Sequence, residues 1–204
     1  MLAAKDYPSM FRELTRRALK PIVFILCLIP LIWLIARGFT GNLGANPIEA
    51  LIRGLGDWAL RFLLITLAVT PVRIVTGWLA VARLRRMLGL YAFFYATLHM
   101  LSYVGLDHLF NWSVLWEDFV KRIYITFGVS ALVLLIPLAV TSSDKIVRKI
   151  GGVVWRRLHR IVYVAAIAAV THYFLMIKAG YTEPMIYAAV LIILFGIRLY
   201  KKWA

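Results

Sequence analysis

Three of the four histidines in this chain fall in or at the edge of apolar stretches, where imidazole is the side chain best suited to bind a transition metal or to carry a proton. His99 lies 12 residues into the third apolar segment and His172 lies 14 into the fifth. Both segments run in the same direction, so at about 1.5 Å of rise per residue both histidines stand roughly 18–21 Å from the same end. Two imidazoles at matched depth on two helices can bind one iron from opposite sides. Ionisable groups inside membrane spans are costly, which makes each a functional candidate.

The neighbouring residues fit that chemistry. Positions three, four and seven back share a helical face. For His99 these are Ala96, Tyr95 and Ala92; for His172 they are Ala169, Ala168 and Ala165. Small side chains beneath each histidine give the clearance that a flat macrocycle such as haem needs. The same pattern serves a histidine hydrogen-bonded between tightly packed helices, with the alanines in ordinary small-residue packing. The residues alone leave both readings standing.

His159 is different. It opens the fifth segment within Trp155-Arg156-Arg157-Leu158-His159-Arg160, 13 residues before His172. That is roughly 20 Å along an ideal helix, but about 140° around it, so the two would share a face only if the helix bends. Counting the same 13 residues back from His99 reaches Arg86, beside Arg85 and Met87. Arginine is no iron ligand, whereas methionine serves with histidine in cytochromes. His159, Arg86, Met87, Arg156 and Arg157 therefore mark a possible second site. It would take a second haem, or hold a haem propionate, a flavin phosphate or a quinone oxygen. A histidine snorkelling among arginines is the plain alternative.

Arg61 lies at the depth of His99 and His172, four residues after Asp57. It is expected either to pair with Asp57 on the helix surface or to meet a haem propionate. His108, in the loop after the third segment, is expected to be solvated. Cys27, the one cysteine, is read as a buried inert thiol; it excludes an internal disulfide and cysteine-ligated iron–sulfur or zinc sites.

The elements that must position these residues are six apolar segments: Pro21 to Ala36, Leu55 to Thr70 (stopped by Pro71), Met87 to Leu106, Ile123 to Val140, Leu158 to Ile177 and Met185 to Leu199. Each approaches the ~20 residues that span hydrocarbon. Of the 204 residues, 63% are hydrophobic and only 16% charged, against about 25% in soluble domains. The expected fold is all-α, an integral membrane bundle of six transmembrane helices over residues 21–200, preceded by a cytoplasmic N-terminal segment, 1–20, that carries no cleavable signal and could form a short surface helix.

The net charge of +15 does not point to nucleic acid, because the basic residues gather at segment ends beside lipid headgroups. Arg73, Arg83, Arg148, Arg160 and Arg198 all fall on the side that holds 18 of the 24 basic residues. That asymmetry places both termini in the cytoplasm. Trp112 and Trp116 then anchor an interfacial segment on the outer side.

The runs Gly56 to Phe62, Thr66 to Pro71, Arg85 to Tyr91, Ala96 to His99 and Trp155 to Tyr163 resemble the MsrQ family. These are haem-binding membrane subunits of bacterial periplasmic methionine sulfoxide reductase systems, within the ferric-reductase-like transmembrane group. NADPH oxidases and eukaryotic metalloreductases are distant relatives. The likeness covers nearly the whole chain, and its most specific element is the histidine spacing of 60 and then 13 residues. It implies a b-type haem, an FMN, and location in the bacterial inner membrane. It implies electrons from the quinone pool or a cytosolic flavin reductase, and a periplasmic molybdopterin-containing methionine sulfoxide reductase subunit (MsrP) as acceptor. Carried over by position, His99 and His172 are the iron ligands and His159 a redox-essential residue. NADPH oxidases have two histidines on each haem-binding helix and a cytosolic nicotinamide domain. Here the third segment has one histidine and the sequence ends at Ala204, so an external donor is expected.

The expectation is therefore a non-catalytic electron-transfer subunit. A stand-alone metalloreductase, and a haem-free transporter or assembly factor, are the competing classes.

Overall fold

The computed structural model describes residues 9–203, and side chains from 18 to 200. Residues 1–8 of the N-terminal segment lie outside the described residues. From Ser9 the backbone is helical and runs unbroken into the first span.

The helices in order are α1 (Ser9–Phe39), α2 (Pro47–Thr76), α3 (Leu79–Ala82), α4 (Arg85–Ser102), α5 (Trp112–Lys121), α6 (Ile123–Val140), α7 (Asp144–Ile150), α8 (Gly152–Leu158), α9 (Ile161–Met176) and α10 (Thr182–Trp203). A π-turn, Tyr103–Asp107, extends α4. No strand occurs among the described residues. Six spans are long and apolar enough to cross a bilayer: Ala18–Phe39, Pro47–Thr76, Arg85–Asp107, Ile123–Val140, Gly152–Met176 and Thr182–Tyr200.

Local chemistry sets the ends. The Asn46 side chain accepts from the Glu49 amide, Pro47 occupies the first turn of α2, and Gly77 closes it in the left-handed region at φ 67°. Asn111 and Ser143 cap α5 and α7 in the same way.

Two helix pairs form the centre: α2 against α4, and α6 against α9. Helix α1 packs on α2 and α4, while α10 packs on α2 and α9. The outward faces are apolar: Ile25 and Ile32 on α1, and Ile192 and Ile193 on α10, are all largely exposed. A water-soluble bundle buries such faces; hydrocarbon solvates them.

The second span does not stop at Pro71. Helix α2 passes through it to Thr76. A helical proline removes one amide and orphans the carbonyl four residues back, here that of Leu67. The Arg198 guanidinium, reaching across from α10, donates to that carbonyl and to the Tyr163 hydroxyl at 2.7 Å. A neighbouring helix thus satisfies the freed group, the condition under which proline persists within a span.

Tyr95 also departs from expectation. It is fully buried and points away from the histidines, into α1. Its hydroxyl accepts from the Leu31 amide at 3.0 Å and donates to the Cys27 carbonyl at 2.8 Å, inserting into the α1 ladder.

Candidate functional site

His99 on α4 and His172 on α9 face one another across the two central helix pairs, with ring centres 6.1 Å apart and planes at 75°. Each is held the same way. His99 Nδ1 lies 2.8 Å from the Ile52 carbonyl of α2, and His172 Nδ1 lies 2.6 Å from the Tyr124 carbonyl of α6. A carbonyl oxygen only accepts, so Nδ1 carries the proton in both rings. Each Nε2 is left as a free lone pair, the tautomer that metal ligation requires.

One turn after each carbonyl comes a glycine against which the ring rests. A Cβ at Gly56 would lie 3.0 Å from His99 Nδ1, and one at Gly128 would lie 2.8 Å from His172 Nδ1. Any side chain at either position would displace the imidazole. The two helix pairs therefore repeat one device: a carbonyl to orient the ring and a glycine to seat it.

Both histidines line a cavity of about 350 Å³. Ala92, Ala96, Ala131 and Ala169 form part of its wall, with Leu60, Leu63 and Leu135. The small-residue wall is thus real but differently composed: Ala165 and Ala168 are buried elsewhere, as is Tyr95. Toward α5 the cavity mouth becomes polar, with Glu49, Arg53, Asp57, Asp107 and Arg122.

This geometry fits a haem iron. A metal lies about 2 Å from an imidazole nitrogen, itself about 1.2 Å from its ring centre, so two axial imidazoles have centres about 6.4 Å apart. A bare ion would need further protein ligands. Among the described residues no group of three or more His, Cys, Asp or Glu could supply them. Two histidines beside an apolar cavity suit a metal whose other ligands come from a macrocycle.

A second cavity, of about 290 Å³, lies nearer α7 and α8 and shares Leu63 and Leu135 with the first. His159 lines it, with Arg85, Arg86, Thr66 and Ser142. The rotation forbidden to a straight helix comes from a break: residues 159–160 form a tight turn between α8 and α9, where Tyr163 bonds back to the Arg160 carbonyl at 3.1 Å, three residues earlier. His159 Nδ1 is bonded within its own helix, to the Trp155 carbonyl at 3.1 Å, and its ring stacks on Trp155 at 3.9 Å. No second histidine lines this cavity.

Several expected neighbours fall elsewhere. Met87 does not line this cavity; it packs against the apolar core. Arg156 and Arg157 are exposed and outside the lining. Arg86 does line it, and also pairs with Asp144 at 2.7 Å. Arg61 borders neither cavity. Its Nε donates to the Tyr187 hydroxyl of α10 at 2.9 Å rather than to Asp57, and its guanidinium lies over Trp58.

His108 is not a solvated loop residue. Its side chain is 17% exposed, its ring packs edge-on against Tyr103 at 4.5 Å, and Nε2 lies 3.2 Å from Asp118 Oδ2. The π-turn and two left-handed residues, Leu109 (φ 46°) and Phe110 (φ 60°), bring it there. Each left-handed non-glycine residue costs on the order of 1–2 kcal/mol. Sequence reasoning had no signal for this cluster, nor for Arg85, Gly56 and Gly128 as site residues. Glycine within two apolar spans was the one visible trace.

Residues 55–170 match the family described as ferric reductase like transmembrane component. The chain is 56% identical to the heme-binding subunit MsrQ of protein-methionine-sulfoxide reductase from Rhodospirillum rubrum, over 87% of this chain and 85% of that protein. It is 47% identical to the subunit of that name from Caulobacter vibrioides, over 89% and 85%. It is also 43% identical to the magnetosome protein MamZ of Magnetospirillum gryphiswaldense, over 89% of this chain but 29% of that longer protein.

Proposed function

Because this multi-pass membrane chain belongs to the ferric-reductase-like transmembrane family, we propose that it is the haem-binding electron-transfer subunit of a methionine sulfoxide reductase system. The observation that carries the reading is the imidazole pair, 6.1 Å between ring centres, with both Nδ1 atoms committed to backbone carbonyls.

His99 and His172 would hold a b-type haem through Nε2. When bound, the haem supplies a one-electron ferric/ferrous couple. Hydrogen bonding at Nδ1 fixes each ring and raises the basicity of the opposite nitrogen. The alanine and leucine wall excludes water from the iron's surroundings, and Gly56 and Gly128 keep the rings within reach. Arg53 and Arg122 line the polar mouth, paired with Glu49 at 2.6 Å and Asp118 at 3.0 Å, and would offer cations to a bound group's carboxylates.

The distribution of basic residues supports placing α7 and α8 on the cytoplasmic side of the bacterial inner membrane, with both termini, and α5 on the periplasmic side. The His159 cavity, with Arg85 and Arg86, then faces the donor, a quinone or a reduced flavin such as FMN. Leu63 and Leu135 border both cavities, so little protein separates them. The α5 side faces the acceptor, the periplasmic molybdopterin-containing reductase subunit. The test is the visible spectrum of the purified protein with pyridine haemochrome quantification. A reduced b-type α band that disappears in His99→Ala and His172→Ala is expected. A colourless but folded protein, or a band that survives either change, defeats the reading.

A further inference from the structure

The cluster around His108 has chemistry that the electron path does not use. Asp118 is a carboxylate with an 8% exposed side chain, and three groups converge on it. The Tyr103 hydroxyl donates to Oδ2 at 2.6 Å, Arg122 Nε lies 3.0 Å from Oδ1, and His108 Nε2 lies 3.2 Å from Oδ2. The last contact is off the line of a hydrogen bond, so Nε2 is buried without a partner. That leaves the imidazole able to gain an ion pair on protonation.

The cluster is continuous with the histidine-pair cavity. Tyr103, Asp107 and Arg122 all line it. So does Tyr124, whose carbonyl orients His172 and whose hydroxyl accepts from Arg122 at 3.4 Å. The charged and titratable groups that face His108 are Asp107 from its own turn, at 3.9 Å, Tyr103 from the π-turn and Asp118 from α5. Arg122 stands behind Asp118 at the start of α6. Two carboxylates face one guanidinium at this corner. The side chain as a whole is 17% exposed, so water reaches the imidazole ring.

We propose that His108 is a proton acceptor coupled to reduction of the group in the histidine-pair cavity, and that Asp118 is the positioning residue linking the two. This rests on the reading that the group is a haem. One electron delivered by a quinol or reduced flavin would reduce that group and add a negative charge to the cavity. One proton from water on the α5 side binds the His108 imidazole and offsets that charge. Oxidation by the acceptor releases both. Linkage makes the coupling reciprocal: a protonated His108 favours the reduced state.

The experiment is a spectroelectrochemical titration of the purified holoprotein at pH values from about 5 to 8. The wild type is expected to show a midpoint potential that falls as pH rises. At fixed potential that is a change in the ferrous-to-ferric ratio approaching about tenfold per pH unit where coupling is full. His108→Gln, which keeps a polar side chain but cannot take the charge, should flatten the slope while retaining the α band. Tyr103→Phe should shift the potential by a similar amount at every pH and keep the slope, because it removes a hydrogen bond and no group that titrates in this pH range. A merely structural cluster would behave like Tyr103→Phe in all variants. A pH-independent wild type, or an undiminished slope in His108→Gln, overturns the coupling while leaving the haem reading intact. A preparation with no α band overturns both.

Discussion

The two cavities divide this molecule into halves that share helices but not logic. Toward α5, two histidines from different helices meet across a cavity, each with its ring oriented by a carbonyl and seated on a glycine of the partner helix. Toward α7 and α8, a single histidine stacks on its own helix's tryptophan and faces arginines. The first arrangement leaves the Nε2 lone pairs of two imidazoles free beside one cavity. The second can donate hydrogen bonds or charge to a bound group, but offers no second imidazole. The lesson is that ligation is marked less by histidine itself than by what holds its other nitrogen.

The sharpest break of that contrast is replacement of the histidines. His99→Ala or His172→Ala should lower haem content by more than about 100-fold, exceeding the usual effect of losing an outer-shell partner. His159→Ala should leave haem content near wild type and slow reduction by a quinol or reduced flavin. Haemochrome content and stopped-flow reduction together decide it; loss of haem in His159→Ala would make the halves alike.

The seating glycines come next. Gly128→Ala should reduce haem retention by about tenfold, the scale of an outer-shell change. Gly56→Ala should cost less, since its Cβ would sit at 3.0 Å from the ring rather than 2.8 Å. Wild-type retention of haem in both variants, measured after detergent washing, would remove the glycines from the site.

Arg198 tests whether the half without paired ligands is held by structural cations. Arg198→Met leaves the Leu67 carbonyl orphaned beside Pro71 and should cost about 1–3 kcal/mol of stability. Thermal unfolding in detergent should show it, with the α band unmoved. The smallest effect belongs to Asp144→Asn, which removes the exposed pair with Arg86. It should cost no more than about 1 kcal/mol; a change in donor kinetics would place Arg86 on the bound group.

Much of the fold was legible because hydrocarbon imposes a simple rule. Six apolar runs separated by charge could only be helices, and Ile123–Val140 begins and ends where the sequence places it. Pro71 misled because its local signal is to stop a helix. The compensating donor, Arg198, lies 131 residues away from the carbonyl it satisfies.

The pairing of His99 with His172 was legible for the same reason, since depth in a bilayer is a count along a helix. Rotation about the helix axis was not. His159 reaches its cavity through a tight turn at 159–160 that a uniform 3.6-residue period cannot anticipate. Arg61 and Met87 turned to partners that only packing could provide, Tyr187 and the apolar core.

The sequence by itself thus determined the membrane class, the number of spans and the matched depth of the two histidines. Each of these depends on composition and on distance along one helix. Tertiary structure decided which nitrogen of each histidine is free, which glycine seats it, and that His108 is gathered into a carboxylate cluster beside the cavity. Those facts depend on contacts between helices, and no local pattern encodes them.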